Sequence, residues 1–244
     1  MVAHPNRSEA PEMADFPKAV FFDVDGVLID SLAQHLQICQ DKANEFGLRL
    51  SIPTVEEFRE LVSRGVKVSP MRFFFLVVGF PEHLIDRAVA DYKRDFLRLY
   101  TPKAFPGVNQ MLRVLRTAGV QLGLITSNVR NNVMPLLSSS IEFFDQRCLF
   151  FFDRYPDPRT KAWCLGEGLR IFEINPGDCV YVGDQPEDAR AASQAGAQFL
   201  GVTYGWGISD RDMQYVSAKN VLEVPNKLKE FWTRSKLNTS RFAI

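Results

Sequence analysis

The feature that most constrains this chain is a short apolar run, Ala19-Val20-Phe21-Phe22, that stops on Asp23-Val24-Asp25-Gly26. A continuous apolar run of this length reads as a strand covered on both faces, with two carboxylates delivered at its C-terminal end. In parallel sheets, ligands bind beyond that end. Two carboxylates one residue apart, unpaired and partly buried there, repel each other at a cost of several kcal/mol. A divalent cation removes that cost, and hard oxygen ligands of this kind suit magnesium. A plain Asp-Gly turn remains open as an alternative. A helix-loop-helix calcium loop does not fit. Counted back from Gly26, its first and twelfth positions fall on Phe21 and Leu32, where acids are required.

Four further apolar runs follow, at Gln121 to Ile125, Cys148 to Phe152, Cys179 to Val182 and Phe199 to Thr203. Helical patterns separate the later ones. Pro106 to Ala118 places Val108, Met111, Leu112 and Leu115 at helical spacing, with Gly119 just past its end. Pro186 to Ala195 closes on Gly196. Strands alternating with helices predict right-handed crossovers and an α/β fold, a Rossmann-like parallel sheet with helices on both faces.

The stretch between the first two strands differs. From Ser31 to about Lys103 only helix is legible: Leu32, Leu36, Cys39, Ala43 and Phe46 step by three and four, as do Leu84, Ala88, Tyr92, Phe96 and Leu99. So much helix cannot lie on one sheet face. It predicts a small all-helical cap domain, residues 32–103, inserted after the first strand. The core domain then comprises 17–31 and 104–244. Residues 1–16, polar and rich in Pro and Glu, read as a disordered tail.

Bulk properties exclude several classes of partner. Lys and Arg total 29 and Asp and Glu total 29, so no basic excess exists to draw nucleic acid or an anionic membrane surface. No apolar stretch approaches the roughly 20 residues of a spanning helix, and the N-terminus lacks a signal-type apolar run. Four cysteines, none in a CxxC pair, read as reduced thiols of a cytoplasmic protein.

Two more segments carry chemistry. Gly183-Asp184-Gln185-Pro186-Glu187-Asp188 follows an apolar run and opens a helix, so Asp184 falls at a strand end and Asp188 in a first helical turn. Helix capping and dipole compensation alone also favour acids there. Ile125-Thr126-Ser127-Asn128 offers hydroxyl and amide donors at another strand end, as a phosphate oxygen requires. An ordinary polar loop has the same composition.

Phe21-Phe22-Asp23-Val24-Asp25-Gly26-Val27-Leu28-Ile29-Asp30-Ser31, Leu124-Ile125-Thr126-Ser127-Asn128 and Val182-Gly183-Asp184-x-x-x-Asp188 resemble the first, second and fourth motifs of the haloacid dehalogenase-like hydrolase superfamily. Phe105-Pro106-Gly107-Val108 and the helical insert are similar to the phosphoglycolate phosphatase and beta-phosphoglucomutase branches. The resemblance implies Asp23 as a nucleophile that becomes an aspartyl-phosphate. It implies Asp25 as the acid for the leaving oxygen and then the base for water, which sets the chain apart from halide-removing members. Magnesium would be held by Asp23, Asp184 and Asp25 through its backbone carbonyl, with Asp188 as ligand or support. Thr126, flanked by Ser127 and Asn128, would bind the transferring phosphoryl group.

The third motif of the superfamily often reads Lys-Pro, and here the matching dipeptide is Tyr155-Pro156. Arg154 and Lys161 flank it, and Lys161, at the start of the following helix, is the expected phosphate-binding cation. In the cap, Arg64 and Lys67 would present charge to an anionic substrate, and His35 lies where resembling beta-phosphoglucomutases carry a His. A solvated basic loop and a packed cap histidine are the plainer readings. The expected activity is a magnesium-dependent phosphatase on a small phosphorylated metabolite. A phosphomutase, or a binding protein with a degenerate site, is the alternative.

Overall fold

The structure is a computed structural model that describes residues 15–212 and 214–240, with side chains up to Thr233. The first strand, β1 (Ala19–Phe22), leads through β2 (Ile29–Asp30) into four helices: α1 (Leu32–Glu45), α2 (Val55–Ser63), α3 (Met71–Val77) and α4 (Glu82–Leu99). The chain returns through β3 (Lys103–Ala104) to α5 (Val108–Thr117), β4 (Gln121–Ile125), α6 (Arg130–Val133) and β5 (Leu149–Phe150). It ends with α7 (Lys161–Phe172), β6 (Cys179–Gly183), α8 (Pro186–Gln194), β7 (Gln198–Val202), β8 (Ser217–Ala218) and α9 (Val224–Ser240).

Six strands form one sheet in the order β5-β4-β1-β6-β7-β8, and every pairing in it is parallel. The period-two alternation of strand side chains sorts β1 between two cores. Val20 and Phe22 face a cluster closed by α5 and α9, through Met111, Leu112, Leu115, Val224 and Leu228. Ala19 and Phe21 face the opposite cluster, closed by α7 and α8, through Leu165, Leu169, Ala191 and Ala192. Burial of each such Phe stabilises the fold by roughly 1.5–3 kcal/mol. The Phe21 ring lies against Gly123 and Gly168, where any added β-carbon would overlap it.

Helices α1 to α4 do not lie on the sheet. They bury Leu36, Ile38, Phe58, Phe74, Phe75, Ile85 and Phe96 in a cluster of their own, which is the cap. Thr54 and Glu57 close a reciprocal capping box at the start of α2, a contribution of about 1 kcal/mol. A buried ionic group, Lys42 with Asp95 at 3.1 Å and Asp91 at 3.9 Å, ties α1 to α4.

Several features depart from the sequence reading. The insert is joined to the core by a two-stranded ladder, β2 antiparallel to β3, with Ile29 opposite Ala104 and Asp30 opposite Lys103. Two residues per strand leave no periodicity to read. The run Cys148 to Phe152 is strand only at Leu149–Phe150, since Cys148 closes a short 3₁₀ turn. Strand β8 was not foreseen, again for its length. Asp15 and Phe16, counted with the tail, are docked: Phe16 is buried in the core, and Asp15 pairs with Lys229 at 2.6 Å. The rest of that expected tail, residues 1–14, lies outside the described residues.

Candidate active site

Strand β1 is the centre of the sheet, with β4 on one side and β6 on the other. The connections after β1 run to both sides, so this is the switch point where a crevice opens beyond the strand ends. Phe22 is level with Leu124 and with Val182, and the Asp23 N–H donates to the Val182 carbonyl at 2.9 Å. Asp23 therefore sits one step beyond the paired strand, between Thr126 and Asp184.

The carboxylate oxygens of Asp23, Asp184 and Asp188 lie within 4.8 Å of one another, and all three residues are buried. Lys161 enters from the first position of α7, whose N-cap is Thr160. Its Nζ lies 2.7 Å from Asp23 Oδ2 and 2.7 Å from Asp188 Oδ1. One ammonium against three carboxylates leaves the cluster short of positive charge. Burial pushes the Asp23 carboxyl up to about 7, against the downward pull of Lys161. Burial, with Asp188 and Asp23 adding to it, holds Asp184 well above the ordinary carboxylate range. Lys161 is also held high: burial lowers it, but the two carboxylates outweigh that.

The three acids differ in what they have left to offer. Asp188 is fully engaged. Its Oδ1 accepts from Lys161 and from the Tyr181 hydroxyl at 3.3 Å, and its Oδ2 accepts from the N–H groups of Asp184 and Gln185. Asp184 Oδ2 accepts the Trp206 N–H at 2.5 Å, but Asp184 Oδ1 is buried with no hydrogen-bond partner. An orphaned buried carboxylate oxygen within a cluster of acids is what a hard divalent cation satisfies. The donor set is all oxygen, which fits magnesium. Gly26, at φ +81°, lets the chain turn beneath this group, and a side chain there would strike the Asp184 carboxylate and the Trp206 ring.

Asp25 is oriented differently from Asp23. Its Oδ1 accepts from Ser31 Oγ at 2.6 Å and its Oδ2 from Asn128 Nδ2 at 3.0 Å. That carboxylate is not part of the three-acid group. Asn128 is fixed in turn, its Oδ1 accepting from the Val129 N–H and from Asn132. Asp23, Asp25, Thr126, Ser127, Asn128 and Lys161 all line one cavity of about 40 Å³, roofed by Val68 to Met71, Phe74 and Tyr92 of the cap. A second cavity of about 310 Å³ adjoins it across Ser69, Pro70, Thr126, Ser127 and Lys161.

The cap residues separate. His35 reaches the inner cavity, but its nitrogens are spoken for: Nδ1 lies 2.7 Å from the Ser31 carbonyl and Nε2 3.1 Å from the Tyr92 hydroxyl. Burial lowers its basicity, so the ring is neutral. Lys67 lines the outer cavity, 3.9 Å from Glu187 and over the Phe73 ring. Arg64 lines neither cavity. It is exposed and paired with Glu60 one turn back on α2, so the geometry does not bring it to the site. Arg154 also points away, donating to the carbonyls of Arg147 and Leu149 and lying over the Phe150 ring.

Sequence reasoning passed over Ser31, Tyr92 and Trp206. A signal existed for the last: Gly205-Trp206-Gly207 follows a strand of a parallel sheet, at the end where ligands bind.

Residues 20–202 match the model of the family described as haloacid dehalogenase-like hydrolase. The chain is 32% identical over 200 residues to a phosphoglycolate phosphatase of Pseudomonas putida, covering 78% of this chain and 71% of that protein. It is 30% identical over 224 residues to one of Xylella fastidiosa, covering 87% and 92%. A haloacid dehalogenase-like family hydrolase from Streptococcus pneumoniae shares the fold, with a TM-score of 0.69 at 22% identity over 87% of this chain and 98% of that one. The matched segment runs from β1 through β7 and carries all three clustered acids and Lys161. On that match, the chain belongs to the haloacid dehalogenase-like hydrolase family.

Proposed function

We propose that this chain is a magnesium-dependent phosphatase that hydrolyses a small phosphorylated metabolite through an aspartyl-phosphate on Asp23. The observation that carries the reading is the placement of Lys161 Nζ, 2.7 Å from Asp23, in a cavity that Asp25 also lines. A nucleophile with its counter-cation and a separate acid thus converge on one small space.

Asp23 and Asp184 would hold the metal, with Asp188 supporting them and keeping Lys161 in place. Magnesium bound there would supply the positive charge that the cluster lacks and would offset charge on the phosphoryl oxygens. A carboxylate oxygen of Asp23 attacks phosphorus as the bond to the leaving oxygen breaks. Asp25 gives its proton to that leaving oxygen. It then takes a proton from water, whose oxygen attacks the phosphorus and releases Asp23 and inorganic phosphate. Ser31 and Asn128 aim the Asp25 carboxyl throughout. Thr126 would donate to a phosphoryl oxygen, and Lys161 balances charge there. In-line positioning supplies much of the rate.

An inner space of about 40 Å³ suits the phosphoryl end of a substrate. Its leaving group would extend past Ser69 and Pro70 toward Lys67 in the outer cavity. The names of the similar proteins put phosphoglycolate first on the panel to be tried. All four cysteines are free and buried, which suits a reducing, cytoplasmic setting. No helix among the described residues is long and apolar enough to cross a membrane.

The test is phosphate release from phosphoglycolate, sugar phosphates, nucleotides and pyrophosphate, with and without magnesium. Asp23→Asn should lose activity on every substrate by about 10⁴-fold or more. Turnover that survives in Asp23→Asn, or that ignores a chelator, would exclude the mechanism.

A further inference from the structure

We propose that Trp206 is a positioning residue that couples the seating of the cap to the geometry of Asp184, and so to magnesium affinity. This rests on the metal reading above. The loop after β7 grips Asp184 at both ends. The Trp206 N–H donates to Asp184 Oδ2 at 2.5 Å, while the Gly207 and Ile208 N–H groups donate to the Asp184 backbone carbonyl at 3.1 and 2.8 Å. Among the described residues, the Trp206 amide is the one protein donor to that carboxylate. It fixes Oδ2, while Oδ1 stays without a hydrogen-bond partner in a carboxylate clustered with Asp23 and Asp188.

The indole of the same residue belongs to the cap. It is buried in the cap's own apolar cluster, with its ring centre 5.2 Å from His35, 5.9 Å from Phe74 and 6.4 Å from Phe58. The loop has no slack on either side. A β-carbon on Gly205 would meet Asp184 and the Gly26 carbonyl, and one on Gly207 would strike Val62 of α2. Arg59, also on α2, donates to the Thr203 carbonyl at 3.0 Å and pins the start of the loop. A shift of the cap therefore drags the indole, and the indole's own backbone amide holds a metal ligand. Groups that orient a ligand from behind typically tune metal affinity 10- to 100-fold. By linkage, a substrate that seats the cap tightens magnesium by the factor that magnesium tightens substrate.

A residue that only filled the cap would change substrate KM and leave magnesium binding alone. The deciding measurement is the magnesium concentration that half-saturates binding to the full chain, read by isothermal titration calorimetry with no substrate present. Trp206→Ala should raise that concentration about tenfold or more, and Trp206→Phe, which keeps a ring in the cap, should bring it back to within about threefold of wild type. If Trp206→Ala leaves it within twofold, the inference is overturned. Circular dichroism establishes whether Trp206→Ala folds. If it does not, Phe58→Leu and Arg59→Ala loosen the grip of the cap on the loop without touching Asp184. Either one raising the magnesium requirement by about threefold supports the coupling, and no change in both overturns it. A wild-type chain with no response to magnesium would sink the metal reading itself, and this inference with it.

Discussion

Lys161 crosses 138 positions of sequence to lie 2.7 Å from Asp23, and it does so from the first turn of α7. The flanking cation Arg154 is spent on backbone carbonyls and on the Phe150 face. Lys161→Ala should therefore lower kcat by about 10³-fold, the scale of a lost charge-stabilising group. Arg154→Ala should leave kcat within about twofold. Side-by-side steady-state kinetics read this directly, and equal losses in both variants would contradict the assignment.

Asp184 is the acid most exposed to the cost of a missing cation. Its carboxyl is pushed well above the usual range, chiefly by burial and then by its acidic neighbours. A carboxyl raised in the folded state binds protons more readily folded than unfolded. Its contribution to stability therefore falls as pH climbs from the unfolded value through the folded one. The metal-free protein should carry more of that cost at pH 8 than at pH 5. Asp184→Asn keeps an acceptor for the Trp206 amide and removes the charge. It should raise the metal-free melting temperature at pH 8 by about 3 °C, and by less at pH 5. It should also abolish the magnesium-dependent rise expected of the wild type. Differential scanning in chelator and in magnesium tests both halves.

The proposed proton donor, Asp25, depends on two neighbours. Ser31 Oγ and Asn128 Nδ2 are the groups that hold the Asp25 carboxylate. Asn128→Ala should lower kcat by about 10- to 100-fold with KM moved far less, because a misaimed acid is felt in the transition state. Aryl phosphates with good leaving groups need little protonation, so the defect should shrink on them. A defect of equal size on both classes of substrate would point to phosphate binding as the role of Asn128.

The cap has its own pH signature. Hydrogen bonds from Arg94, then Arg98 and Lys42, hold the buried Asp95 carboxyl far below the usual range. A depressed carboxyl contributes stability that is complete above its unfolded value and is lost as pH falls through the folded one. Asp95→Asn should lower the melting temperature at pH 7 by about 5 °C. The gap should narrow below about pH 4, where the unfolded wild type also takes up its proton. A gap independent of pH would mean that packing rather than charge is being lost.

The parts that were legible in the sequence share a property: the residues that signal them are close together in the chain. Ala19 to Phe22 announces a strand because four apolar residues are contiguous, and Asp23 follows at once. Asp184 and Asp188 announce themselves the same way after β6. Lys161 was harder, since nothing local separates it from Arg154. Only the sheet order, which brings α7 beside β1, decides between them. Arg64 was drawn in by its place in a cap loop, but one turn of helix gives it Glu60 as a partner instead. Trp206 and Tyr92 act through contacts 20 to 60 positions away, to Asp184 and His35, and no pattern of spacing encodes those. Very short elements such as β2, β3 and β8 form because tertiary neighbours supply their partners, and propensity has no purchase on two residues.

Both crossings between sheet and cap travel as one narrow strap, β2 beside β3, tied further by the Phe105 N–H to the Leu28 carbonyl at 2.9 Å. A paired ribbon resists being pulled apart but bends with little opposition, so any swing of the lid has its pivot there. Ser31 sits at the end of that strap, and it is the residue whose hydroxyl holds Asp25. The proposed proton donor thus lies beside the strap, where a swing about it would displace the carboxyl least. Phe74 of α3, which roofs the inner cavity, lies beyond the strap and would be carried by any such swing.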